Sequence, residues 1–368
     1  MKKTLLILSA TALAVTGLTS CADDEPVEGR MNSANDEITF RPALGGLTRA
    51  TETTNDNISS IFVTSLMKDT TKYFSDVEFA KGADGYFTAA DGGKYVWPGD
   101  TTTLKFYSYS PSLTAIGADI VLNDKKEPEL LSYTTPEDIS EQVDFITANA
   151  TGNKNANEDT GVELTFSHRM AQIEVRAKSN DTHYVYKVAG ARIARPEMTG
   201  TFNFVTNQWT LDDWHDTMIL TTSITPTVLS GNAVSLMGKD GNAMLIPQKK
   251  FAWSPKDDPD NVARGSYLSV LVNITTEDGV QLYPFPSDKQ IDPATGKLRE
   301  YAWASVPIAP NWEAGKKYIY TLDFTNGAGT VDPDDPTPGK PVLGKDIKFT
   351  VNVLNWSDAD NAIMVTNG

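Results

Sequence analysis

The chain has 368 residues, 40% hydrophobic and 22% charged, and its 32 basic against 48 acidic side chains leave a net charge of −16. A pI near 4.6 sets it against phosphate backbones and excludes a nucleic-acid partner, while a mean hydropathy of −0.31 with one long apolar run excludes a multi-span membrane protein. One cysteine and three histidines leave no internal disulfide, no cysteine-built zinc or iron–sulfur site and no histidine-rich metal centre, and nothing in the composition asks for a cofactor.

Residues 1–20 read as an export signal: Lys2 and Lys3 precede a short apolar run from Leu5 to Val15, too short to span a bilayer. The single cysteine, Cys21, ends Leu18-Thr19-Ser20-Cys21, which looks like a bacterial lipobox. On that reading Cys21 is lipidated, and the acyl chains tie the precursor to a membrane. Residues 21–35 are short, acidic and poor in large apolar side chains, as a flexible tether would be.

Strand-like alternation then begins. Ile38 and Phe40 share one face, with Thr39 and Arg41 on the other. Further strands are expected at Ile58 to Val63, Leu104 to Tyr109, Val143 to Ala148, Val162 to Phe166 and Ala171 to Ala177. Beyond these come Tyr184 to Ile193, Thr201 to Trp209, Ala243 to Ile246, Tyr267 to Ile274 and Lys317 to Phe324. Turn clusters such as Gly92-Gly93 and Pro98-Gly99-Asp100 separate them, and the only helical signal is a brief turn near Pro136 to Gln142. The pattern predicts an all-β protein.

The length suits two domains. The polar run 151–161 marks either the break between 36–160 and 161–330 or a long hairpin loop. A second break lies at 331–345, where Pro333, Pro336, Pro338 and Pro341 follow one another among Asp332, Asp334 and Asp335. As a polyproline-like spacer at about 3.1 Å per residue it would reach roughly 45 Å. The C-terminal segment, 346–368, then aligns Ile347, Phe349, Val351 and Val353 on one strand face. Glu37-Ile38-Thr39-Phe40 near the start is echoed by Asp346-Ile347-Lys348-Phe349 near the end, as though two strands suited one groove.

The lipobox at Cys21, Ile38-Thr39-Phe40 ahead of Leu47-Thr48-Arg49-Ala50, and Trp97-Pro98-Gly99 before Phe106 to Pro111 follow one another in order. After them come Asp144 to Ala148, Val162 to Ala171, and Phe349-Thr350-Val351 leading to Asn355-Trp356. This ordered set resembles the fimbrillin family, the type V pilins exported as lipoproteins by Gram-negative anaerobes. The resemblance implies two tandem transthyretin-like β-sandwich domains and an outer-membrane or fimbrial location. It also implies an arginine-specific protease that cuts the precursor between Arg49 and Ala50, removing 36–49 together with the lipid. An open sheet edge would then accept a strand from another subunit, with Ile347, Phe349, Val351 and Val353 taking the places of Ile38 and Phe40 and their neighbours.

No catalytic motif competes with this reading. His168, His183 and His215 are scattered, and there is no G-x-S-x-G elbow, P-loop or dinucleotide fingerprint. Asp257 to Asn261 lacks EF-hand spacing. The seven tryptophans, Trp209 and Trp214 among them, leave one alternative open: a monomeric surface lipoprotein that binds glycans through exposed aromatics.

Overall fold

The computed structural model describes residues 36–44, 58–68, 71–212, 218–256, 259–286, 299–335, 337–356 and 363–366. The N-terminal half holds β1 (Phe40–Leu44), β2 (Ser60–Met67), β3 (Thr71–Lys81), β4 (Phe87–Ala89), β5 (Leu104–Ser110), β6 (Asp119–Leu122), β7 (Pro128–Thr134), β8 (Ile146–Gly152) and β9 (Val162–His168). Next come β10 (Ala171–Lys178), β11 (Tyr184–Ala194), β12 (Thr199–Asn203), β13 (Gln208–Leu211), β14 (Ile219–Thr221), β15 (Thr227–Val228), β16 (Val234–Ser235) and β17 (Ala243–Leu245). The chain closes with β18 (Tyr267–Thr276), β19 (Gln281–Tyr283), β20 (Ala302–Pro307), β21 (Lys316–Asp323), β22 (Thr330–Val331), β23 (Lys348–Asn355) and β24 (Ile363–Thr366). The described helices are short, as at α1 (Leu113–Ile116), α2 (Lys154–Asn157) and α3 (Pro259–Arg264). The protein is all-β.

Seven strands close a barrel in the order β1-β4-β3-β2-β5-β8-β9. Its interior is aromatic, with Phe40, Phe79, Phe87 and Phe106 fully enclosed. Two further sheets face each other. One runs β16-β10-β21-β23-β24 with β17 beside β10, and the other β14-β11-β18-β20-β22 with β15 and β19 as short attachments. Between them lies an aliphatic core in which Ile173 and Val175 of β10 meet Val188 and Ile193 of β11 and Val270 and Val272 of β18. Alternation explains the burial: in β9 Val162, Leu164 and Phe166 point inward while Glu163, Thr165 and Ser167 point out.

The two halves are joined by a shared sheet, β13-β12-β7-β6, in which β7 of the first half pairs antiparallel with β12 of the second. Phe145, Phe202, Phe204 and Trp356 pack in a third core together with Tyr109 and Met170.

One alternative is decided here and one expectation changes. The polar run 151–161 is not a domain break but the β8–β9 connection inside the barrel, so the first unit extends to His168. Its polar groups are satisfied locally: Asn153 caps α2, and the Asn157 side-chain amide donates to the Gly161 carbonyl. The segment 331–345 is not an extended spacer either. Val331 pairs with Ala304, Val342 is buried, and the Gly329 amide donates to the Lys345 carbonyl.

Candidate strand-exchange site

β1 is the stave that closes the barrel. It runs parallel to β9 from Phe40 opposite Val162 to Leu44 opposite Phe166, whereas it meets β4 at one position, Phe40 opposite Phe87. Just upstream, the Ile38 amide donates to the Tyr95 carbonyl and the Trp97 amide to the Asp36 carbonyl. Ile38 is 2% exposed and Phe40 fully buried. The Phe40 ring meets Phe79 and Phe106 edge-on, at 4.8 and 5.1 Å between centroids. At the rim, Arg41 pairs with Glu163 at 2.8 Å and Lys154 with Asp36 at 2.6 Å. The Asp36 carboxylate, accepting from that ammonium, holds Lys154 above its usual pKa. Gly161, at φ +69°, lets β9 start beneath Thr39, where a Cβ would press on Tyr86 and Thr39.

β9 depends on β1. Its other neighbour, β8, is ladder-paired with it only at Ile146–His168 and Thr147–Ser167. Taking β1 away leaves β9 with one open edge and the barrel with an aromatic furrow where Ile38 and Phe40 lay.

The C-terminal segment lies in its own sheet. β23 pairs antiparallel with β21 at eight positions, from Lys348 opposite Asp323 to Asn355 opposite Lys316, and β24 covers its other edge. Phe349, Val351 and Val353 are half-buried against the aliphatic core, and Ile347 is 3% exposed beside a crevice of about 250 Å³. This strand is therefore seated and flanked on both sides, not carried at the end of a mobile arm. The reason is the acidic segment before it. Asp332 is fully buried, accepts from the Ser269 hydroxyl at 2.6 Å and faces the Arg192 guanidinium at 3.3 Å. Asp334 accepts from the Tyr267 hydroxyl at 3.1 Å and pairs with Arg195 at 3.3 Å, and Asp335 sits 3.7 Å from Arg299. Sequence reading missed this clamp, because its cations are Arg192 on β11 and Arg195 just beyond it, some 140 residues upstream of the acids, and Arg299.

At the far end of β23, the Trp356 indole is 2% exposed and stacks on the His168 imidazole at 4.3 Å, with 15° between the planes. His168 in turn contacts both carboxylate oxygens of Asp144 at 2.9 Å. Of the tryptophans considered as a sugar platform, Trp97, Trp253, Trp312 and Trp356 are buried, Trp209 packs on Phe145 and Phe202, and Trp303 lies under the Arg192 guanidinium. Cys21, Arg49, Ala50, His215 and Trp214 lie outside the described residues.

A barrel closed by one sparsely paired stave and a half-buried apolar strand near the other terminus are the two structural features of the candidate site. The chain belongs to the fimbrillin-like family, whose model matches residues 48–356. Among solved structures it is similar to a fimbrial protein from Bacteroides vulgatus, at 14% identity and a TM-score of 0.56, covering 86% of this chain and 99% of that one. It is also similar to a candidate cell adhesion protein from Bacteroides ovatus, at 15% identity and a TM-score of 0.50, covering 89% and 100%. At such identities the likeness shows the fold. No curated protein matches the sequence. Family membership makes this a structural fimbrial protein of the cell surface that associates with other fimbrial subunits.

Proposed function

We propose that the protein is a fimbrial subunit exported as a lipoprotein on Cys21, matured by an arginine-specific protease between Arg49 and Ala50, and polymerised by strand exchange. The observation that carries this reading is the position of β1: it closes the barrel and precedes Arg49, and Phe40 within it and Ile38 just before it lie in the core. The cut disconnects β1 from the rest of the barrel, and an outer-membrane lipid anchor leaves with it. The vacated furrow takes β23 of another subunit, with Ile347, Phe349, Val351 and Val353 as the inserted side chains. Since Ile347 is buried and Phe349, Val351 and Val353 are half-buried in their own sheet, the gain comes from covering the furrow that Ile38 and Phe40 leave. A head-to-tail contact of this kind does not close on itself, so it propagates as a filament.

Release of β23 from β21 is then a required step. Thr321 and Thr350 sit opposite each other across that pair. In the full chain carrying Cys21→Ser, the double change Thr321→Cys/Thr350→Cys locks β23 in place when oxidised. Cleavage after Arg49 yields ladders on unheated gels only from the reduced form. Equal polymerisation of the oxidised form overturns strand exchange.

A further inference from the structure

Strand exchange empties more than a sheet position. When β23 departs, the indole of Trp356 leaves the buried seat formed against His168 and Asp144, between the barrel and the third core. That seat ends β9, the same strand that receives the incoming segment. Aligning the two terminal echoes supplies a register for the incoming strand. Placing Phe349 where Phe40 now lies sets it opposite Val162, given the observed parallel register. Val351 then faces Leu164 and Val353 faces Phe166, so each inward side chain of the incoming strand meets an inward side chain of β9. Ile347 falls where Ile38 was. Carried to the end, the same register brings Leu354 beside Ser167, Asn355 beside His168, and Trp356 one residue further, beside Arg169. Regular strand ends at Asn355, so the indole there is directed by what it can stack on, not by alternation.

We propose that the His168–Asp144 seat is a docking site for the tryptophan of a second copy of this chain: it holds its own Trp356 in the free subunit and the neighbour's Trp356 in the filament. This rests on the strand-exchange reading and adds a register and a terminal stop to it. The chemistry fits. An imidazole held by a carboxylate presents a flat face to an indole, and the core in which that indole sits is built of apolar and aromatic side chains. The same side chain leaves and returns, so the subunit surrenders no burial at this point once it is part of a filament. A partner strand lacking the tryptophan at this spacing would leave the seat open, and this gives the contact its selectivity.

The test traps the register. One preparation of the full chain carries Cys21→Ser and Ser167→Cys, and the other Cys21→Ser and Leu354→Cys. Both positions lie on the outward faces of their strands, leaving Trp356 and His168 intact. The two are mixed, cleaved after Arg49 and oxidised. A disulfide joining one chain's residue 167 to the other's residue 354, formed only after cleavage, is the expected result. A companion preparation with Asn352→Cys in place of Leu354→Cys reports a strand shifted by two residues. Polymers that form normally but cross-link through position 352, or through neither position, overturn the seat while leaving strand exchange standing. Failure of unmodified cleaved chains to polymerise overturns the underlying reading instead. As a second readout, Trp356→Ala and His168→Ala each speed polymer dissociation in mild denaturant, and the double variant is no faster than the worse single one. Additive effects in the double variant overturn the contact.

Discussion

Asp335 sits in surroundings that disfavour its charge. Burial pushes its carboxyl pKa up, the neighbouring Asp332 charge adds to this, and Arg299 and Arg192 oppose it only in part. A raised carboxyl favours the protonated form in the folded chain, so its contribution is full at acid pH and is lost as pH rises through the folded value. Asp335→Asn is therefore expected to raise the thermal midpoint by a few degrees at neutral pH. Below the ordinary aspartate range, near pH 3, it should change nothing. Thermal unfolding at both pH values checks this, and an equal gain at pH 3 contradicts it. Asp332, three residues away, has the Arg192 guanidinium at 3.3 Å and accepts hydrogen bonds from the hydroxyls of Ser269 and Ser305.

Among the elements, β23 is held by contacts of different kinds. Upstream the Asp332–Arg192 clamp holds the segment leading into it, downstream Trp356 is stacked on His168, and along its length it has β21 on one side and β24 on the other. β24 covers Thr350 to Val353, the middle of the strand. Removing residues 357–368 turns β23 into an edge strand and lowers the cost of peeling it from β21. Amide exchange at 348–355 should then quicken several-fold in the uncut protein, followed by hydrogen–deuterium exchange mass spectrometry, while exchange in β10 stays unchanged. No change at 348–355 would mean that β24 contributes nothing to holding the strand.

For the whole molecule, the proposed cut after Arg49 would leave the two halves unequal in stability. Losing Ile38 and Phe40 alone removes about 3–6 kcal/mol of apolar burial from the barrel, at roughly 1.5–3 kcal/mol per side chain. The facing sheets of the second half keep their core intact. Cleaved monomer, held dilute, is expected to show a barrel transition at lower temperature than the uncut protein. A synthetic peptide spanning Asp346 to Trp356 should raise that transition in a concentration-dependent way, since it binds only the folded barrel. A peptide with Phe349→Asp should not. Calorimetry separates these outcomes, and a barrel insensitive to the first peptide argues against the furrow as the receiving site.

Local pattern carried much of this in advance. The alternation of Ile38 and Phe40, of Val162, Leu164 and Phe166, and of Phe349, Val351 and Val353 was legible because a strand buries every second residue whatever it pairs with. The helical turn expected near Pro136 to Gln142 is the 3₁₀ turn at Ile139–Glu141. The family, too, could be read from short ordered motifs. Pairing over long separations could not. That β1 runs parallel to β9, that Arg192 and Arg195 neutralise Asp332 and Asp334, and that Trp356 reaches His168 are contacts between residues more than a hundred positions apart. An acidic, proline-rich stretch has the same composition whether it is solvated or clamped by distant arginines. Periodicity reports which face of a strand is buried; only the folded chain decides what lies against it.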